Sequence, residues 1–241
     1  MLYIPVKPRL IRDNLKIITI KVGKSMSWSV DVIGEPITTK TWTKGDSYIT
    51  KEKEFLVDET HERIKITNQD YNTLFECTDA LRRDTCKYKV RAENENGFDE
   101  EWVELCVLGR PARPEGPLEV SNITAEGCKL RWKPPADDGG CPIRVSLLNN
   151  LCVSFPTIGL LIQEYEIEML CPRTKNWVKK GKCAGDKHPL FFDVDGLEEG
   201  QEYLFRVKAI NDEGESDPLD GDKPIKAKNP FGKYLNLSTN V

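Results

Sequence analysis

Histidine is nearly missing from this chain. Its 241 residues hold two, His61 and His188. They stand in different halves, and neither has a cysteine or aspartate at metal-ligand spacing. A histidine metal centre or general base therefore has little to be built from. There is no GxSxG nucleophile elbow and no GxxxxGK phosphate loop, which removes two common catalytic and nucleotide-binding arrangements. An excess of one charge is missing too. Net charge is -4, with basic and acidic residues interleaved, whereas a nucleic-acid partner asks for a concentrated basic face. The first twenty residues lack a continuous apolar stretch, so they do not read as a secretory signal. Eight cysteines, Cys77 to Cys183, include no CxxC pair. They suit neither a disulfide scaffold nor a zinc site, and they predict free thiols in a reducing compartment. Asp137 and Asp138 in "ADDGG" offer two carboxylates, where calcium wants six to eight oxygens. These residues predict no cofactor, no metal, no nucleic acid, no membrane, no small-molecule substrate and no catalysis.

Helical periodicity is also nearly absent, and period-2 alternation takes its place. "SMSWSVDV" puts Met26, Trp28, Val30 and Val32 on one face and Ser25, Ser27, Ser29 and Asp31 on the other. "KYKVRAEN" repeats this with Tyr88, Val90 and Ala92, and "GCKLRWKP" with Cys128, Leu130 and Trp132. "YLFRVKAI" turns Tyr203, Phe205, Val207 and Ala209 inward. Half-buried strands with polar outer faces predict an all-β chain of antiparallel sheets packed face to face. A proline- and glycine-rich break at "GRPARPEGP", Gly109 to Pro117, predicts a stiff short joint between two modules.

In the first module "VDVIGEPITTKTW" carries Val30 and Trp42, and "RRDTCKYKVRAENENG" follows. This resembles the immunoglobulin fold in its intermediate-set form. The resemblance implies that Trp42 is the core tryptophan of the third strand. Asp84 to Tyr88 would form the turn and tyrosine corner before the sixth strand, and Gly97 would supply a positive φ in the closing hairpin. Val30 and Val90 stand where secreted relatives carry a disulfide. Cys86 departs from a usual glycine; either its backbone is strained by roughly 1 kcal/mol or the turn has relaxed. Trp102 lies on the last strand as a candidate contact for a neighbouring module.

The second module is similar to a fibronectin type III domain. "GPLEVSNITAEGCKLRWKPPADDGGCPI" resembles its first two strands, with Trp132 as the buried indole. "WVKKG" adds Trp177 as a core residue. "FFDVDGLEEGQEYLFRVKAINDEGESDPL" supplies Leu197, Gly200 and Tyr203 as a second tyrosine corner, then Asn211, Gly214 and Ser216 as the last hairpin. The order of modules is similar to the twitchin and titin-like family of giant muscle proteins. It implies an immunoglobulin-like domain at 1–109, a fibronectin type III domain at 110–229 and a non-native tail at 230–241.

The resemblance further implies a structural, protein-binding tandem module of a thick-filament protein, part of a much longer chain. Its partners would be myosin or other thick-filament proteins and neighbouring modules. Its place would be the cytoplasm, in the A-band of the sarcomere. The kinase of the family's giants is not carried over, since no glycine-rich loop, HRD or DFG is present. The alternative is an extracellular adhesion or receptor fragment, which uses the same two folds. One stretch fits neither reading. Val145 to Gln163 is a run of nineteen residues without a formal charge. Removing it restores the relatives' spacing between "PI" and Tyr165. Its ends can be encoded as splice-site-like codons, so 145–163 reads as an extraneous insertion, absent from the mature protein or a disordered bulge if expressed; the alternative is a natural binding loop.

Overall fold

The computed structural model describes residues 4–45, 55–57, 63–140, 145–148, 151–154, 162–171, 173–186 and 188–229. His61 and the tail 230–241 lie outside them. The chain divides into two compact units, Met1–Gly109 with Gly140–Gly159 and Arg110–Gly139 with Leu160–Val241.

The first unit is a two-sheet sandwich. Its strands are β1 (Val6–Leu10), β2 (Ile18–Lys21), β3 (Met26–Glu35), β4 (Thr39–Lys44), β5 (Phe55–Leu56), β6 (Ile64–Gln69), β7 (Asn72–Cys77), β8 (Cys86–Asn94) and β9 (Gly97–Leu108). One sheet runs β1-β3-β7-β6 and the other β2-β9-β8-β4-β5. All pairs are antiparallel except β2 with β9, where Ile18 lies opposite Leu105 in a parallel ladder. The alternation of β3 is what fixes its register: Trp28, Val30 and Val32 are buried, and the intervening serine and aspartate are exposed. A slip by one residue would turn that apolar set to water.

The centre of this unit is aromatic. Trp28 and Trp42 stack at 6.0 Å, and Phe75 packs 4.9 Å from Trp42 and 5.0 Å from Tyr88. Both indoles find acceptors: Trp28 Nε1 donates to the Lys16 carbonyl at 3.0 Å and Trp42 Nε1 to Thr73 Oγ1 at 2.9 Å. Val30 and Val90 are fully buried on opposite sheets. Thr38 is different, because its hydroxyl is buried without a partner. Such a group costs about 1–3 kcal/mol. Thr38→Val should therefore leave the first melting transition unchanged or raise it. A loss above about 1 kcal/mol would show that the hydroxyl has a partner after all.

The second unit contains β10 (Glu115–Ser121), β11 (Cys128–Lys133), β14 (Glu164–Leu170), β15 (Trp177–Ala184), β16 (Phe191–Val194), β17 (Glu202–Asn211), β18 (Gly214–Glu215), β19 (Leu219–Asp220) and β20 (Ile225–Lys226), while β12 (Val145–Leu148) and β13 (Leu151–Ser154) fall in the Gly140–Gly159 stretch grouped with the first unit. One sheet is β10-β11-β16 and the other β15-β14-β17-β18, with β19 and β20 also paired to β17. Leu130, Trp132, Tyr165, Ile167, Phe205 and Val207 fill the space between them. Tyr165 meets the Trp132 ring edge-on at 5.5 Å.

Part of the apolar run is described. β12 and β13 form an antiparallel ladder from Val145–Ser154 to Leu148–Leu151 and pair with no other described strand. Two β-prone runs separated by two residues, here Asn149 and Asn150, are a hairpin pattern. Ile162 and Gln163, at the end of the run, belong to the second unit. Ile162 packs on its core, and Gln163 donates its N–H to Ile210 O and accepts from Gly185 N–H, each at 2.9 Å.

Both units close with the same turn. Asn94-Glu95-Asn96-Gly97 joins β8 to β9, and Asn211-Asp212-Glu213-Gly214 joins β17 to β18. In each, the first asparagine's Oδ1 accepts the N–H of the third residue, at 2.9 Å and 2.8 Å. Each ends on a glycine with φ of 132° or 128°, a conformation that excludes most side chains.

Candidate protein-binding surfaces

The residues that the sequence singles out hold loops in place. In the first unit Tyr88 Oη donates to the Asp84 carbonyl at 3.1 Å. The Asp84 carboxylate is buried, accepts the Leu81 N–H at 2.8 Å and takes both guanidinium nitrogens of Arg63. Burial pushes the Tyr88 phenol well up, with the Asp84 charge adding to it. In the second unit the polarity is reversed: Tyr203 Oη accepts the Glu198 N–H at 2.9 Å. Leu197 is buried beside it. Gly200 has φ 86° with open space where a Cβ would go, so its backbone conformation, not crowding, calls for glycine.

Trp177 is placed differently from a core residue. It is half-buried on the edge strand β15, with the Arg206 guanidinium 4.2 Å from its ring. An edge position leaves one ring face without a sheet neighbour, and a cation covers it. Cys86 is fully buried, is not among the residues of positive φ, and donates its thiol to Gly45 O at 2.9 Å. The turn has relaxed around it.

The thiols require a correction. Cys77, Cys86, Cys128, Cys171 and Cys183 are thiols outside any disulfide, but Cys106 is disulfide-bonded. Cys141 and the Cys152 side chain lie outside the described residues. A disulfide depends on Cβ atoms coming within about 4 Å, which sequence spacing does not reveal.

Two outer faces have distinct chemistry. On the first unit, Trp102 and Phe98 are exposed on β9. Lys89 Nζ sits 5.1 Å from the Trp102 ring and the Arg91 guanidinium 3.7 Å from Phe98. Arg91 also reaches Glu93 and Glu100, each at 3.1 Å. A Cβ at Gly45 would meet the Trp102 ring at 3.0 Å, so the glycine lets the indole lie close to the sheet. On the second unit, the outer face of β14, β15 and β17 is a lattice of ion pairs. Glu164 meets Lys182, Glu166 meets Lys179, and Glu168 meets Arg206 and Lys208. Burial pushes the Glu168 carboxyl up, but the Arg206 and Lys208 contacts outweigh it and hold the group below its ordinary value. Its contribution is full above the ordinary carboxylate range and is lost as pH falls through the lowered folded value.

Two hollows are present among the described residues. One of about 540 Å³ is lined by Asp31, Gln69, Asp70, Tyr71 and Asn72. Another of about 180 Å³ includes Cys171, Arg173, Glu198 and Tyr203. The Thr174 hydroxyl lowers the Cys171 thiol, and that lining holds the Glu198 carboxylate but no histidine. His188 is exposed. Among the described residues no group of three His, Cys, Asp or Glu is arranged to hold a metal, and no helix is long and apolar enough to cross a membrane.

Sequence reasoning missed Lys40 and Arg63. Lys40 is buried, and its ammonium donates to the carbonyls of Thr38, Gln69 and Asp70 at 2.7–2.9 Å. Burial lowers its pKa. A lysine at an inward position of β4 was the available signal.

Two family models agree with this architecture. The family model described as Immunoglobulin I-set domain matches residues 9–107, and that described as Fibronectin type III domain matches residues 112–222. The chain is 27% identical to Titin of Drosophila melanogaster over 228 residues, covering 94% of this chain and 1% of that protein. It is 23% identical to cardiac-type Myosin-binding protein C of Mus musculus over 246 residues, covering 94% of this chain and 17% of that protein. It thus spans a small part of the length of these curated relatives. A crystal structure of titin domains is 25% identical, with a TM-score of 0.43, and the match covers 94% of this chain and 68% of that one. The chain is a tandem of an immunoglobulin I-set domain and a fibronectin type III domain that matches members of the titin and myosin-binding protein C family.

Proposed function

We propose that this chain is a structural, protein-binding pair of modules within a giant sarcomeric protein. Residues 1–109 and 110–229 act as separate modules, and thick-filament proteins, myosin among them, are the partners. The observation that carries this is the order of the two domains, kept in alignments to titin and to myosin-binding protein C across 94% of the chain. Small sandwiches in series act as spacers whose side faces are free to bind. Antibody against the chain should stain muscle as A-band stripes, and the protein should sediment with myosin filaments. Staining confined to the plasma membrane would support the adhesion or receptor reading instead. The Cys106 disulfide is the one observation that favours that second reading. The five unbridged thiols among the described residues, and Val30 and Val90 in place of a core cystine, favour the first.

The insertion at 145–163 and the tail at 230–241 are not needed for this role. Lengthening a loop about tenfold costs only about 2 kcal/mol, so the domain tolerates the insertion. Because Ile162 and Gln163 are tied into the second unit, the segment to delete is 145–161. That deletion should raise solubility and leave the second melting transition in place or higher. Unfolding of the second unit would instead make the hairpin part of its core. Transcripts that always encode the segment would reject its extraneous origin.

A further inference from the structure

The two matching turns differ in one chemically important place. The third position is Glu213 in the second unit and Asn96 in the first, each followed by glycine. Asn96 is the one asparagine of the chain that precedes a glycine. It is exposed, and no side chain on Gly97 shields the backbone nitrogen beside its amide. We propose that Asn96 is a spontaneous modification site, the first asparagine of the folded chain to deamidate, and that this change loosens the end of β3. The Gly97 nitrogen attacks Asn96 Cγ, forming a C–N bond as its proton is lost. The Cγ–Nδ2 bond breaks, and ammonia leaves with that proton. Water then opens the succinimide at either carbonyl, leaving an aspartate or an isoaspartate.

The structural consequence follows from what the amide holds. Asn96 Nδ2 donates to the Glu35 carbonyl at 2.8 Å. Asn94 Nδ2 donates to the carbonyls of Val6 and Pro36, each at 3.0 Å. These three bonds pin the start of β1 and the end of β3 to the β8–β9 turn. A carboxylate in place of the amide has no donor and sets negative charge against the Glu35 carbonyl. Glu213 shows that the turn itself accepts an acid at this position. The aspartate product therefore keeps the turn and loses the clamp, whereas isoaspartate lengthens the main chain by a carbon and disturbs the turn as well.

The full chain should be aged in mildly alkaline buffer at body temperature and followed by peptide mass mapping, ammonia release and enzymatic methylation of isoaspartate. The peptide holding Asn96 should be the first to gain the mass of NH2 replaced by OH, and isoaspartate should appear there. Asn96→Gln should abolish that signal. The first melting transition should fall as conversion proceeds, and Asn96→Asp should reproduce part of the fall. Earlier conversion of any other asparagine overturns the assignment. So does an Asn96 that stays intact in the folded chain while converting in a urea-unfolded control. Conversion without movement of the first transition rejects the loosening.

Discussion

Arg63→Ala should unfold the first unit well before the second, in a chain that otherwise melts in two transitions. The reason is the carboxylate it would abandon. The Asp84 side chain is 3% exposed. Arg63 gives it two donors, and the Leu81 N–H supplies another at 2.8 Å. The same contact raises the Arg63 guanidinium above its ordinary range. Removing one partner of a buried pair costs about 3–5 kcal/mol, because a charge is left in a poorly solvated place. A domain of this size has about 5–15 kcal/mol in total. Each kcal/mol moves the midpoint by about 4–8 °C, so the first transition should drop by tens of degrees while the second stays put. The double variant Arg63→Ala with Asp84→Asn should recover part of the loss by removing the stranded charge. A drop equivalent to less than about 1 kcal/mol would place the pair among weak surface bridges and reject this account.

Much of the sandwich was legible because its information is local. Alternation through Trp28, Val30 and Val32 sets which face of β3 is buried, and the same period marks β8, β11 and β17. The Asn-x-x-Gly turns are equally local, since a glycine φ and an Asx hydrogen bond need only four residues. The rest depended on partners far along the chain. Lys40 gives no local sign that its ammonium reaches Gln69 and Asp70. The Arg63 partner lies twenty-one residues away. Trp177 reads as core from its type and strand, but its strand is an edge and Arg206 covers it. Cys106 reads as one free thiol among eight until the fold brings another sulfur to it. The outer faces were the least legible, because polar alternation says that a residue points outward and not what it meets there.

Trp132 offers a test in which size and polarity separate. The side chain is 4% exposed in the second core and meets Tyr165 edge-on. Trp132→Ala should cost about 3–5 kcal/mol, the usual loss for emptying a buried large aromatic site. That is enough to unfold the second unit near room temperature while the first transition remains. Trp132→Phe should behave otherwise. The indole Nε1 is buried with no hydrogen-bond partner, unlike the indoles of Trp28 and Trp42. Its desolvation costs about 1–3 kcal/mol, and phenylalanine removes that cost together with part of the ring. The two changes oppose each other, so the net shift should be within about 1–2 kcal/mol. The corresponding Trp42→Phe exchange breaks the bond to Thr73 Oγ1 and strands a buried hydroxyl, so it should cost more than Trp132→Phe. Equal losses at the two sites, or a Trp132→Phe loss as large as that of Trp132→Ala, would mean that the Trp132 N–H is satisfied in solution.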